Sequence, residues 1–146
     1  PRLVREKNQI MEGVPIKLFQ GVAPLLKDLK KNGYKLAVAS GGTRFFVNHV
    51  LKRNDIKKYF SAVVTGEDDV RRKPHPDIFI KAAKKLHVPA KSCVVIEDAR
   101  DGITAAKRAG MKAIGHKNAG YLQDLSRTDR VVLSMDKISV KMIVKL

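Results

Sequence analysis

Short, mostly apolar runs alternate with amphipathic helical segments along most of the chain's 146 residues. The runs lie at 34–40, 61–66, 92–97, 112–116 and 130–134. They carry consecutive apolar residues rather than a strict alternation, which is typical of strands covered by helices on both faces. The pattern therefore predicts an α/β fold: a Rossmann-like parallel sheet in a three-layer α/β/α arrangement.

Helices are predicted between these strands, at 22–32, from Thr43 onward, at 76–89 and at 102–110. The third of them has an apolar stripe at helical spacing, made of Ile78, Phe79, Ala82, Ala83 and Leu86. The segment 1–17 has another character, because it is polar and is broken by Gly13 and Pro15. It is predicted to be the end of a separate unit that joins the core, 18–146, through a hinge.

The chain is strongly basic, with 30 Lys and Arg against 14 Asp and Glu and a formal net charge of +16. Such a charge attracts polyanions, so nucleic acid is a candidate partner. The basic residues, however, are distributed over predicted helices and their ends, and the sequence has neither an aromatic-rich stacking segment nor zinc-finger spacing. Nucleic acid is therefore disfavoured as the main ligand.

The single cysteine and the length of the apolar runs indicate where in the cell the protein is expected. Cys93 lies within an apolar strand, so it is predicted to be a buried, inert thiol, and a reducing cytoplasm is the expected location. No apolar run reaches the length needed to cross a bilayer, so we expect no membrane partner. The sequence makes no prediction of oligomeric state.

Polar residues that suit phosphate chemistry follow the predicted strands. Ser40 leads into Gly41 and Gly42, so a hydroxyl and open backbone amides meet at a helix N-terminus and could hold a phosphate oxygen. Lys73 lies in a loop stiffened by two prolines and could neutralise a phosphoryl group. Each also has an ordinary interpretation, a strand-to-helix turn for Ser40 and a solvated side chain for Lys73.

Two adjacent carboxylates, Glu97 and Asp98, end the strand at 92–97. Hard oxygen ligands at such a strand end suit Mg²⁺. The alternative is an exposed strand end, with Asp98 or Asp101 capping the next helix. The histidines are interpreted as ordinary loop, helix or core residues, because none stands at metal-ligand spacing from another; they are His49, His75, His87 and His116.

Three segments in this order carry a resemblance to a known family: "LAVASGGT", "VVTGEDDVRRKPHPDIFIKAAKKL" and "CVVIEDARDGITAAKRAGM". They closely resemble the haloacid dehalogenase-like superfamily, in particular its β-phosphoglucomutase and phosphoglycolate phosphatase-like branch. The resemblance covers roughly 19–114, and its Lys-Pro-x-Pro-Asp and Glu-Asp-x-x-x-Gly elements are specific to that branch.

The resemblance implies a Mg²⁺-dependent phosphatase or sugar phosphomutase that acts on a small phosphorylated metabolite through an aspartyl-phosphate. It implies that Ser40 holds the transferring phosphoryl group and that Lys73 is the lysine of the family's third motif. Glu97 and Asp98 would surround Mg²⁺, with Asp98 the direct ligand. The family usually has Ser or Thr where this chain has Ala99, which removes a hydrogen bond but no metal ligand.

One departure concerns the nucleophile. Family members carry an Asp-x-Asp pair at the end of the central strand, between the strands that here end at Ser40 and Glu97, and no Asp-x-Asp occurs in this sequence. The chain is interpreted first as a C-terminal fragment, with 1–17 the end of a helical cap and its hinge, the central strand and most of the cap being absent. Used alone, such a chain is expected to show no phosphatase turnover.

The missing pair is also compatible with a replaced strand or with a chain that is not an enzyme. The segment "ISVKMIVKL" at 138–146 has a strand-like alternation and could replace the central strand, although a C-terminal helix is favoured. Alternatively, the chain is a non-catalytic relative, a module that binds phosphorylated ligands or nucleic acid.

Overall fold

The computed structural model describes residues 16–117 and 123–146. Segment 1–17, predicted to be a cap end and hinge, lies almost entirely outside the described residues. The helices are α1 (Val22–Lys31), α2 (Arg44–Arg53), α3 (Asp77–Leu86), α4 (Arg100–Arg108) and α5 (Val140–Val144). Short 3₁₀ turns lie at Lys57–Tyr59, Ala90–Ser92 and Met135–Lys137. No helix in the described part of the chain is long and apolar enough to span a membrane.

The strands are β1 (Ala37–Ala39), β2 (Ala62–Val64), β3 (Val94–Glu97), β4 (Lys112–His116) and β5 (Arg130–Val132). They form two parallel sheets, β1–β2 and β3–β4–β5. In the first sheet Ala37 pairs with Ala62, and in the second Val94 pairs with Lys112. The predicted α/β fold with parallel strands is confirmed, and each strand lies within the run that predicted it.

The helix ends follow the signals in the sequence. Thr43 caps α2 by accepting a hydrogen bond from the backbone N–H of Phe46, as predicted. The predicted stripe of α3 is buried, and all of it except Leu86 packs in one apolar cluster with Val64 and Val95. Cys93 is half-buried rather than buried as predicted, and this partial burial raises the pKa of its thiol.

The C-terminal segment is helical rather than extended. Ser139 caps α5 by accepting from the N–H of Met142, and Ile143 and Leu146 pack against the cluster around Leu25 and Ile114. The alternative in which 138–146 supplies a central strand is therefore wrong. Most of its alternating residues pack against the core together with Ile143, whereas Val144 is exposed.

A cavity of about 650 Å³ separates the two sheets. The whole of β1 and β3 lines it, with Leu25 and Leu29 of α1 and Phe79 of α3. Within the described residues β1 pairs only with β2, and β3 only with β4, so both strands leave a backbone edge facing this space. The gap lies at the position that the resemblance gives to the central strand.

Candidate active site

The carboxyl ends of parallel strands meet at one edge of the fold, and the predicted polar residues lie there. Lys73 Nζ lies 2.6 Å from Glu97 Oε2 and 3.4 Å from the backbone oxygen of Ala39, the last residue of β1. The ammonium also lies 4.8 Å from the centroid of the Phe79 ring. One lysine thus bridges the ends of β1 and β3, across the mouth of the cavity.

The ion pair is largely buried, since the Lys73 side chain is 20% exposed and that of Glu97 is 13% exposed. The ordinary interpretations, a solvated lysine and an exposed strand end, are therefore wrong. Removing a charge from water is costly unless a partner and hydrogen bonds compensate it. Here each charge is the other's compensation.

Both oxygens of the Glu97 carboxylate accept hydrogen bonds. Oε2 accepts from Lys73, while Oε1 accepts from the N–H groups of Asp98 and Ala99, at 3.1 and 3.3 Å. Glu97, rather than Asp98 or Asp101, thus accepts from backbone amides at the beginning of α4. A Cβ at Gly102 would overlap this carboxylate, so the glycine of the Glu-Asp-x-x-x-Gly element is required for the close approach.

Ser40 begins a loop that is held between the two strands of the first sheet. Its N–H donates to the backbone oxygen of Val64 at 3.0 Å, and its Oγ accepts from the N–H of Gly42 at 3.2 Å. The loop after β2 lies close to this turn. A Cβ at Gly66 would be only 2.6 Å from the backbone oxygen of Gly41. Ser40, Gly41 and Gly42 thus form a tight turn beside the end of β1 that Lys73 contacts.

Asp68, which the sequence patterns do not single out, binds residues on both sides of this turn: Thr65 after β2 and Arg44 at the start of α2. Asp68 Oδ2 accepts from the N–H and the hydroxyl of Thr65, at 2.7 and 2.9 Å, and pairs with the Arg44 guanidinium in the first turn of α2. The backbone hydrogen bond from Thr65 comes first among the causes that hold the pKa of Asp68 down, at about 2; the Thr65 hydroxyl, Arg44 and Lys85 add to it against the effect of burial. The spacing Thr65-x-x-Asp68 is the signal that could have revealed it.

Asp98 is the remaining predicted ligand, and it is half-buried beside Glu97. Its backbone oxygen accepts from Gln123 Nε2 at 2.9 Å, and the same amide donates to the backbone oxygen of His116 at 3.2 Å. Gln123, which no motif in the sequence marks, therefore joins the ends of β3 and β4 next to the carboxylate.

The donor set at this edge suits a hard cation only in part. No group of three or more His, Cys, Asp or Glu side chains converges within 16–117 and 123–146. Three of the acceptor sites of the Glu97 carboxylate are used by Lys73 and two backbone amides. A Mg²⁺ ion fits beside Asp98 provided that further oxygen ligands come from another segment, from substrate or from water.

His75 lies in the loop before α3 and His87 at the end of α3, as predicted, whereas His49 lies within α2. The His116 ring is buried and meets the Phe19 ring edge-on at a centroid distance of 4.8 Å. His49 stacks on Phe45, and His87 ends α3 in a left-handed conformation. None of them belongs to a cluster of metal-binding type in the described ranges.

A parallel α/β fold with polar loops at the carboxyl edge of its strands defines the class of proteins that bind ligands at this edge. The family model described as haloacid dehalogenase-like hydrolase matches residues 1–116, which is most of the chain. The chain belongs to the haloacid dehalogenase-like hydrolase family, and the resemblance seen in the sequence is confirmed.

Three relatives illustrate the similarity. Phosphoglycolate phosphatase of Escherichia coli K12 is 34% identical over 124 residues, which are 83% of this chain and 49% of that protein. The crystal structure of CbbY from Rhodobacter sphaeroides in complex with phosphate superposes with a TM-score of 0.88 at 26% identity, over 99% of this chain and 68% of that one. β-Phosphoglucomutase from Clostridium difficile gives a TM-score of 0.85 at 29% identity, over 99% and 65%.

The chain therefore spans about half the length of the E. coli phosphatase and about two thirds of the two structures. The superpositions on the two structures cover 99% of the chain.

Proposed function

We propose that the protein of which this chain forms part is a Mg²⁺-dependent phosphoryl-transfer enzyme, a phosphatase or a phosphomutase acting on a small phosphorylated metabolite in the cytoplasm. The observation that carries the proposal is the buried Lys73–Glu97 pair at the end of β1, beside the Ser40 turn. A largely buried cation held between two strand ends is suited to a dianionic phosphoryl group. The relatives support the substrate class, since they are named as a phosphatase, a phosphomutase and a complex with phosphate.

Each residue has a distinct role in this proposal. The Ser40 hydroxyl and the N–H of Gly41 orient the oxygens of the phosphoryl group, and the N–H of Gly42 holds the Ser40 oxygen in place. Lys73 stabilises its negative charge, and Glu97 holds the ammonium in place. Asp98 holds Mg²⁺ with oxygen ligands from outside the described residues; when bound, the ion neutralises charge on the phosphoryl oxygens.

In this proposal the bond-making carboxylate comes from another segment, because the sequence has no Asp-x-Asp pair. Glu97 is bound by three donors, and Asp68 is bound by Thr65 and Arg44 on the far side of the Ser40 turn. Glu97 is among the residues that line the cavity between β1 and β3, and within the described residues each of these strands has one unpaired edge. An extended segment placed there would pair with both strands, and an Asp at its carboxyl end would lie between Ser40 and Lys73.

Turnover of a phosphate monoester tests the proposal. The chain 1–146 alone, with p-nitrophenyl phosphate and Mg²⁺, is expected to release no phosphate above the level of its Lys73→Ala variant. Metal-dependent turnover by the chain alone that Lys73→Ala abolishes would show that the nucleophile lies within these residues, and would overturn its assignment to another segment. Binding of inorganic phosphate that Lys73→Ala leaves unchanged would overturn the proposed phosphate site.

A further inference from the structure

The fold gathers lysines at the edge opposite the candidate active site. In a parallel α/β fold the strands begin, and the preceding helices end, at the same edge. Lys30 and Lys31 end α1, Lys35 precedes β1, Lys84 lies in the last turn of α3, and Lys91 precedes β3. We call these five residues the basic edge. They are spread over 62 positions of sequence, which is why the sequence alone shows only scattered helix-face lysines.

Contacts at the basic edge show that these elements adjoin. Lys35 Nζ donates to the backbone oxygen of Leu86, the last residue of α3, at 3.0 Å. The same end of the cavity is lined by Gly33, after α1, and by Ser92, before β3. All five lysines are exposed.

The charge of the basic edge is not neutralised within the described residues. None of the five lysines forms an ion pair there, whereas the exposed Lys58 pairs with Asp55 and Lys112 pairs with Asp129. The acid nearest along the chain is Asp28 of α1, whose oxygens accept from Asn32. Lysines in a last helical turn gain a little from the helix dipole, but this does not account for Lys35 or Lys91, which lie outside the α-helices.

We propose that the basic edge binds the phosphate backbone of nucleic acid, on a surface separate from the candidate active site. Charge alone suffices for such binding, because each phosphate contact releases counterions. An anionic membrane is disfavoured, since interfacial binding also requires apolar anchors. The large exposed apolar residues lie elsewhere, on none of the elements that supply the five lysines; they are Phe19, Phe45, Val131, Leu133 and Val144. The inference does not make nucleic acid the substrate, and it is independent of the proposed phosphoryl transfer.

A matched pair of double variants tests whether nucleic acid binds at the basic edge. Lys84→Gln with Lys91→Gln removes two charges from the basic edge, and Lys117→Gln with Lys141→Gln removes two exposed charges elsewhere. Binding to a DNA duplex of about 20 base pairs is measured by fluorescence anisotropy between about 50 and 200 mM NaCl. The slope of log K against log salt is negative. We expect the first double variant to reduce its magnitude by about 2, because each lost phosphate contact removes about 0.9.

The control double variant is expected to leave that slope unchanged, and Lys84→Arg with Lys91→Arg is expected to retain the affinity. Equal losses in both Gln pairs would overturn the proposal, because they would show a diffuse field. Binding to vesicles with about 30% phosphatidylserine is measured in parallel. If Lys84→Gln with Lys91→Gln weakens binding to these vesicles but not to the duplex, the proposal is overturned in favour of a membrane.

Discussion

Lys73 Nζ and Glu97 Oε2 lie 2.6 Å apart, and this ion pair joins the loop after β2 to the end of β3. The two residues are 24 positions apart in sequence, and both side chains are largely buried. The pair connects the two separate sheets at their carboxyl edge. It is therefore expected to contribute to stability as well as to the chemistry of the site.

Removing one partner should destabilise the fold more than removing both. Lys73→Met leaves the Glu97 carboxylate buried with only two amides, so it is expected to cost about 3 kcal/mol of the free energy of unfolding. The double variant Lys73→Met with Glu97→Gln should recover part of this, with a coupling of about 1–3 kcal/mol. Urea unfolding of the four proteins measures the cycle.

The exposed pair of Lys58 and Asp55 is the control for this cycle. Lys58→Met should leave the unfolding midpoint almost unchanged, because exposed ion pairs contribute little. Additive effects of the two substitutions at Lys73 and Glu97 would contradict the assignment of a coupled, buried pair.

Gly102→Ala should destabilise the protein although Ala is the better helix former. Propensity alone would favour Ala by about 1 kcal/mol at this position in α4. The new Cβ, however, overlaps the Glu97 carboxylate, which Lys73 and two amides hold in place. We expect a net loss of about 1–3 kcal/mol in thermal or urea unfolding.

Gly41→Ala is the comparison for the packing effect, because a Cβ there meets nothing within 4 Å. It should leave stability nearly unchanged. The loss in Gly102→Ala should also shrink in the Lys73→Met background, where the carboxylate is free to move. A stabilised Gly102→Ala protein would show that the carboxylate is not fixed.

Asp68 gives the fold an acid-dependent contribution. Its pKa is about 2 in the folded protein against 3.8 for the ordinary side chain, so the unfolded state binds the proton more readily. The contribution is fully present above about pH 4 and is lost as the pH falls toward 2. Asp68→Asn should therefore lower stability at pH 6 more than at pH 3, measured as the change in urea midpoint.

Asp77 is the matched control for Asp68, because its pKa is also about 2 but its main partner, Arg71, is exposed. Asp77→Asn should show the same direction with a smaller effect. An Asp68→Asn effect that is identical at both pH values would refute the role given to its charge.

Much of the fold could be predicted from the sequence, because strand burial and helix capping leave local signals. The apolar run that ends at Glu97 and the Thr43 cap are examples. The part that could not be predicted depends on contacts distant in sequence. Nothing local shows that Gln123 bridges β3 and β4, or that Arg44 meets Asp68.

The candidate site residues also divide into features that local sequence predicts and features that depend on contacts distant in sequence. Motif order identifies Ser40, Lys73 and Glu97, but the use of both Glu97 oxygens is evident only from the donors around it. The strand-like alternation at 138–146 is misleading because a short amphipathic helix can also place several of those residues on the core.

We propose that this chain supplies the phosphate-binding and metal-binding residues of a phosphoryl-transfer site. The carboxylate nucleophile of that site would lie on a segment between β1 and β3. The most direct measurement is hydrolysis of p-nitrophenyl phosphate by the chain mixed with a peptide that carries an apolar strand ending in Asp-x-Asp. We predict Mg²⁺-dependent turnover only in the mixture, reduced about 10²–10³-fold by Lys73→Ala and abolished by Asn at the first Asp of the peptide. Turnover by the chain alone would contradict the claim, as would a peptide that protects the β1 and β3 amides from exchange yet confers no turnover.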